Sequence, residues 1–184
     1  MMTRKEPYFS PYEIAVLSLC GALIFVSKVL IKVPLHSPGH SSLFVVIPFL
    51  VGCGVVRKPG AATYIGLITG LLASFFGLEA LHLFDVFKYL AMGLVIDATA
   101  LVFNFRMDNP AVGFIAGAAG SIAKMGVNYS IHLLLGVPAT FIVLGVGVAS
   151  VTHLVFGGIG GVIGALVIAR LIRAGVIAGA PSSS

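Results

Sequence analysis

The sequence predicts an all-α integral membrane protein of six transmembrane helices, and three observations carry that expectation. The chain is 59% hydrophobic, with a mean hydropathy of +1.12. Charged residues make up 9% of it, against roughly 25% in a soluble domain. Apolar runs about one membrane thickness long alternate with short breaks marked by Pro, Gly and charge. With 11 Lys and Arg and 6 Asp and Glu in 184 residues, the chain cannot clothe a soluble globule. An ordinary cytosolic enzyme, a disordered segment and a disulfide scaffold are thereby excluded. Its net charge of +5 is not clustered, so nucleic acid is not an expected partner. Cys20 and Cys53 both lie in apolar runs without metal-ligand spacing and read as small core residues.

The first span is expected over about 12–33, after an N-terminal segment 1–11, and ends at a Pro/Gly/Ser cluster, 34–41. The second runs over about 42–56 and stops at Arg57-Lys58-Pro59-Gly60. The third covers about 61–77. A polar, aromatic connection with Glu79, His82, Asp85 and Lys88 leads to the fourth, about 87–105. The fifth covers about 111–135 and turns at Gly136-Val137-Pro138. The sixth, about 139–169, is long enough to be tilted, broken near Gly157-Gly158, or to emerge into water. The membrane domain is thus expected over 12–173, with a disordered tail over 174–184.

Six spans bring both termini to one side. Arg4, Lys5, Arg57, Lys58, Arg106, Arg170 and Arg173 fall on that side, whereas Lys28, Lys32 and Lys88 fall on the other. The positive-inside rule then makes both termini cytoplasmic.

Ionisable groups inside a span are functional candidates, because a charge facing lipid is costly. Asp97, mid-way along the fourth span, and Lys124, mid-way along the fifth, lie on antiparallel neighbours and read as an ion pair, as ligand contacts, or as both. Lys124, Asn128 and His132 recur every four residues and share one helix face, which would point into the bundle and open outward. Hydrogen-bonded packing between helices explains that stripe equally well. Between the third and fourth spans, Glu79 and Asp85 alternate with aromatics, which suits either a ring-binding pocket or an interfacial aromatic belt. His36 and His40 read as solvated loop residues, and His153 as packing or pocket lining. Ala15, Ser18 and Ala22 form a flat face on the first span. Gly157, Gly161, Ala165 and Ala169 form another on the sixth. Both permit close helix contact, and the first could also dock another membrane subunit. The chain carries no phosphate-binding G-x-x-x-x-G-K-[ST] loop and no catalytic constellation, so neither catalysis nor a cofactor is expected.

One stretch narrows the reading. Val55-Val56-Arg57-Lys58-Pro59-Gly60-Ala61-Ala62 resembles the RKPGAA turn of YkoE-type S components of energy-coupling-factor (ECF) vitamin importers, associated with thiamine or its hydroxymethylpyrimidine precursor. That family also carries an acidic residue at the place of Asp97 and a Gly-Ser pair like Gly120-Ser121. The resemblance implies a compact S-component bundle in the cytoplasmic membrane of a prokaryote. It implies a membrane-embedded T component and two ATPase subunits as partners, with ATP bound by the ATPases. It implies a vitamin-like solute captured from outside, with Glu79, Asp85, Asp97, Lys124, Asn128 and His132 as contacts. Ala15, Ser18 and Ala22 would meet the T component. Pro59 would start the third helix at its first turn, with Arg57 and Lys58 anchored at the inner surface. Lys124 departs from a site for a cationic ligand, and Asp97 would have to neutralise it. The competing expectation is a small assembly subunit without a ligand, whose polar stripe is filled by internal pairing.

Overall fold

The computed structural model describes residues 7–30, 40–77 and 82–177, without the side chains of 40 and 139–148. Six α-helices follow in order: α1 Pro11–Leu30, α2 His40–Val56, α3 Ala61–Phe76, α4 Asp85–Val102, α5 Pro110–Leu134 and α6 Ala139–Arg173. A single 3-10 turn, His82–Phe84, leads into α4. The expected spans are reproduced to within a few residues.

Local chemistry sets several of the boundaries. Ser10 and Glu13 form a capping box: the Ser10 N–H donates to Glu13 Oε2 at 2.7 Å, and the Glu13 N–H donates to Ser10 Oγ at 3.2 Å. Pro11 then occupies the first turn, where its missing N–H is not needed. Asn109 caps α5 by accepting from the Ala111 N–H at 2.9 Å, again ahead of a proline, Pro110. At α3 the expectation shifts. Pro59 stands in the turn rather than in the helix, which starts at Ala61 after Gly60 at φ 88°. The left-handed backbone at Gly60 makes the corner that Pro59 cannot. Lys58 is not a bare headgroup anchor either: its Nζ donates to Glu13 Oε2 at 2.7 Å and to the Tyr8 carbonyl at 3.0 Å.

Around the bundle, α1, α3, α4, α5, α6 and α2 succeed one another, and α2 also touches α3, α4 and α5. The segment with no polar face is therefore the one in contact with every other helix, as an all-round apolar surface requires. Val45, Val46, Phe49, Leu50 and Cys53 of α2 are all buried. At the edge, α1 packs on α2 and α3, and its far side exposes Tyr12, Leu19, Leu23 and Leu30.

The small-residue stripe of α6 is spent on internal packing. Gly161 lies against the Gly113 carbonyl and Gly157 against Gly117 and Ser121, so α5 and α6 meet backbone to backbone. Gly160 and Gly164 fit against Leu43 and Leu50 of α2. At 35 residues α6 is unbroken through Gly157-Gly158. It measures about 52 Å, more than the ~30 Å hydrocarbon core. Helices α1 and α5 and the 149–173 part of α6 are long and apolar enough to cross a membrane. Helix α4 carries Asp85, Lys88 and Asp97, and all three are buried rather than turned to lipid.

Candidate functional site

Two cavities bear on function, one near each end of the bundle. At the end carrying the termini, a groove of about 550 Å³ runs between α3 and α4, lined by Phe9, Tyr64, Leu67, Leu94, Leu101 and Asp97 among others. Leu67, Leu94 and Leu101 are exposed on the bundle's outer surface, so this groove faces acyl chains. Asp97 does not serve it as a free acid. Its oxygens accept from the Ala62 N–H at 3.0 Å, the Thr63 N–H at 2.8 Å and the Thr63 hydroxyl at 2.6 Å. The N-terminus of α3, capped by no side chain of its own, takes its cap from α4.

Asp97 and Lys124, read as an ion pair, as ligand contacts or as both, turn to different partners. Lys124 extends toward the opposite, distal end, and its Nζ stands 4.9 Å from the centroid of the Tyr89 ring. Tyr89 lies eight residues before Asp97 on the same helix, about 12 Å along its axis. A long flexible stem carries the ammonium toward the more polar end.

At the distal end, Ser41, Lys88, Lys124, Met125, Asn128 and His153 line a cavity of about 170 Å³. Four helices supply them: α2, α4, α5 and α6. Beside it, Asp85 forms an ion pair with Lys88, one helical turn apart, and both are buried. Tyr89, fully buried, lies under two cations, since Lys28 Nζ of α1 stands 5.3 Å from the same ring. His153 Nδ1 shares a hydrogen bond with Ser42 Oγ, joining α6 to α2 at the cavity rim.

Of the expected site residues, Lys124 and Asn128 line this cavity, and Asp85 adjoins it through Lys88. His132 lies a turn beyond Asn128 and donates from Nδ1 to that residue's carbonyl at 2.7 Å, within its own helix. Asp97 belongs to the other end, and Glu79 and His36 lie outside the described residues. In the connection before α4, His82 is tied to α3: its carbonyl accepts from Ser74 Oγ at 2.7 Å and its Nδ1 donates to the Ser74 carbonyl at 3.1 Å. Of the aromatics around that connection, Phe75 and Phe87 face outward, 84% and 59% exposed, whereas Tyr89 is fully buried. Sequence reasoning passed over Lys28, Lys88, Tyr89 and Ser41 as site residues. The Asp85–Lys88 spacing, three apart on a helix, was the available signal. Among the described residues, no three His, Cys, Asp or Glu side chains gather where a metal ion could be held.

Residues 13–123 match the family described as the permease component of an ABC-type cobalt transport system. The chain belongs to that family. The chain is thus a component of a membrane transport system, from a family of transport proteins rather than enzymes. Its fold is shared with a crystal structure of an S component of an ECF transporter. The TM-score is 0.67 at 18% identity, covering 91% of this chain and 88% of that one. No curated protein matches the chain by sequence.

Proposed function

We propose that this chain is the substrate-binding S component of an ECF-type ABC importer. It captures a small vitamin-like solute from outside and delivers it inward with a T component and two ATPases, which bind the ATP. The observation that carries this reading is the polar distal cavity of about 170 Å³, set in an otherwise apolar bundle. The shared S-component fold and the permease family support it. The arginine-rich end, by the positive-inside rule, faces the cytoplasm, so the cavity opens toward the exterior. A ligandless assembly subunit would leave no outward cavity, and the space bordered by Lys88, Lys124, Asn128 and His153 favours the importer.

Lys124 and Asn128 hold the solute directly, with Asp85 fixing Lys88 beside it. The edge helix α1 offers Ala15, Ser18 and Ala22 to the T component. Ala15 is exposed and the other two are half-buried. A thiamine- or pyrimidine-like solute is what the RKPGAA turn suggests. That turn is bound to Glu13 and Tyr8 at the far end from the cavity, so the lining side chains bear more directly on ligand identity. They do not favour the cobalt of the family's description, because among the described residues no three His, Cys, Asp or Glu side chains gather there to hold a metal ion.

The test is mass spectrometry of small molecules released from protein purified out of native membranes, followed by titration of what is found. Capture of a defined solute, weakened at least tenfold by Asn128→Ala, supports the reading. Affinity unchanged from the parent in both Asn128→Ala and Lys124→Gln overturns the cavity as the solute site, and recovery of no defined solute overturns the importer reading.

A further inference from the structure

We infer that the bundle opens by parting into two rigid halves, α1–α3–α4 and α2–α5–α6, along a seam that runs into the distal cavity. That the parting admits or frees a solute rests on the cavity being the solute site; the parting itself does not.

Within each half, main chain meets main chain. In the first, a methyl added to Gly66 would strike the Tyr89 carbonyl, one on Gly70 the Val86 backbone, and one on Gly93 the Ala62 carbonyl. Asp97 adds its three bonds from α4 to the start of α3. Helix α1 is tied to α3 where the Thr69 hydroxyl donates to the Gly21 carbonyl at 3.2 Å and Ser18 shares a hydrogen bond with Tyr64, also at 3.2 Å. In the second half the glycines of α5 and α6 nest together, and Gly160 of α6 lies against the Leu43 carbonyl of α2. Separating α3 from α4 would strand Asp97 and its donors in hydrocarbon. Separating α5 from α6 would give up the close backbone packing on which helix association in lipid depends.

Between the halves, glycines meet side-chain ends instead. Gly120 of α5 faces Ile96 and Met92 of α4, and Gly52 of α2 faces the Ile65 δ-carbon of α3 and the Cys20 thiol of α1. Such ends turn aside by changing rotamer, whereas a carbonyl seated in a notch cannot. Ile65, Met92 and Ile96 are apolar, and in a bilayer acyl chains replace an apolar partner without a hydrophobic penalty. The seam therefore opens at lower cost than either half comes apart. It also reaches the cavity: Lys88 stands on the first half, and Ser41, Lys124, Met125, Asn128 and His153 stand on the second. Lys124 reaches across to Tyr89 at that place. Parting the halves draws the lining apart, whereas movement inside one half leaves Lys88 where it is relative to Tyr89 and α3.

The experiment uses the full chain in lipid nanodiscs and a thiol that the protein already carries. Cys53 of α2 is fully buried on the seam, its Sγ 4.0 Å from Asp97 Oδ1 of α4, so a maleimide reaches it only through an opening. Its labelling rate is read by mass spectrometry of the Cys53 peptide, with Cys20→Ala as background. One disulfide spans the seam, from Gly120→Cys with Ile96→Cys. The Ile96 γ-carbon lies 2.9 Å from a β-carbon at Gly120, which puts the two β-carbons within the ~3.5–4.5 Å a disulfide spans. The other, from Phe114→Cys with Gly158→Cys, stays inside the second half, where those residues touch. Each oxidised protein is compared with its own reduced form, so any cost of the substitutions cancels. Oxidation across the seam is expected to slow Cys53 labelling at least tenfold, and oxidation within the half less than twofold. No slowing by the first, or equal slowing by both, overturns the seam. A second measurement needs no cross-link: Gly93→Ala should lower the unfolding midpoint more than Gly120→Ala does, by at least about 5 °C. Equal shifts overturn the distinction between notched and yielding contacts. Neither readout involves a solute, so failure here leaves the importer reading standing.

Discussion

Asp97 grips Thr63 twice, taking its backbone N–H at 2.8 Å and its hydroxyl at 2.6 Å. The Ala62 N–H adds a third bond to the same carboxylate. Asp97→Ala strands these donors, and a loss of about 2–4 kcal/mol is expected from removing charge-assisted bonds to buried groups. Asp97→Asn keeps one acceptor oxygen and should lose about half as much. Unfolding of the detergent-solubilised protein measures both. An Asp97→Ala variant as stable as the parent would contradict the capping role.

Backbone contact between α5 and α6 leaves no room for a side chain. A methyl on Gly161 would strike the Gly113 carbonyl, and one on Gly117 would strike that of Gly157. Gly161→Val and Gly117→Val should each cost about 3 kcal/mol or more, or abolish expression, because neither obstacle is a flexible side-chain end. Among the described residues nothing lies within 4 Å of a methyl built at Gly126 of α5, so Gly126→Ala should be neutral or slightly stabilising. Thermal stability of the three variants side by side decides the point.

Tyr89 gives its ring to Lys28 and Lys124. Tyr89→Phe keeps a π face and should hold solute affinity within about threefold, whereas Tyr89→Leu should lower it roughly tenfold, the scale of a desolvated cation–π contact. Affinities that rank the other way would remove the ring from the site.

Lys58 joins the turn after α2 to Glu13 at 2.7 Å, yet its side chain is 38% exposed. An ion pair in such a setting contributes about 1 kcal/mol at most. Lys58→Ala should therefore lower stability by no more than that, and added salt should shrink the difference further. The unfolding midpoint at low and high salt is the measurement.

Ala15 lies exposed on the edge helix. If α1 docks on a T component, Ala15→Trp should reduce co-purification of the assembled importer at least tenfold. Solute binding by the isolated subunit should stay intact. Full assembly of the variant would move the docking face elsewhere.

The spans were legible because the breaks are chemically loud. Arg57-Lys58-Pro59-Gly60 and Gly136-Val137-Pro138 each interrupt an apolar run just where a helix ends, and Asn109-Pro110 marks where α5 begins. The pairing of buried charges was less legible. Sequence spacing gives a residue's height on its own helix but not which neighbour it meets. Asp97 turned to the start of α3, while the stem of Lys124 carried its ammonium to Tyr89. The site was blurred by a boundary error of two residues. With α4 expected to begin near Phe87, Asp85 and Lys88 read as parts of a connection. Begun at Asp85, the helix sets them one turn apart as a buried pair.

The glycine seam has a bearing on how a guest leaves. Carbonyls of one rod nest in notches of the other, so α5 and α6 cannot slide or part without prising main chain from main chain. Together they behave as a keel. A solute bound as proposed beside Asn128 and His153 would have that wall at its back, so its release would open along a different flank of the bundle.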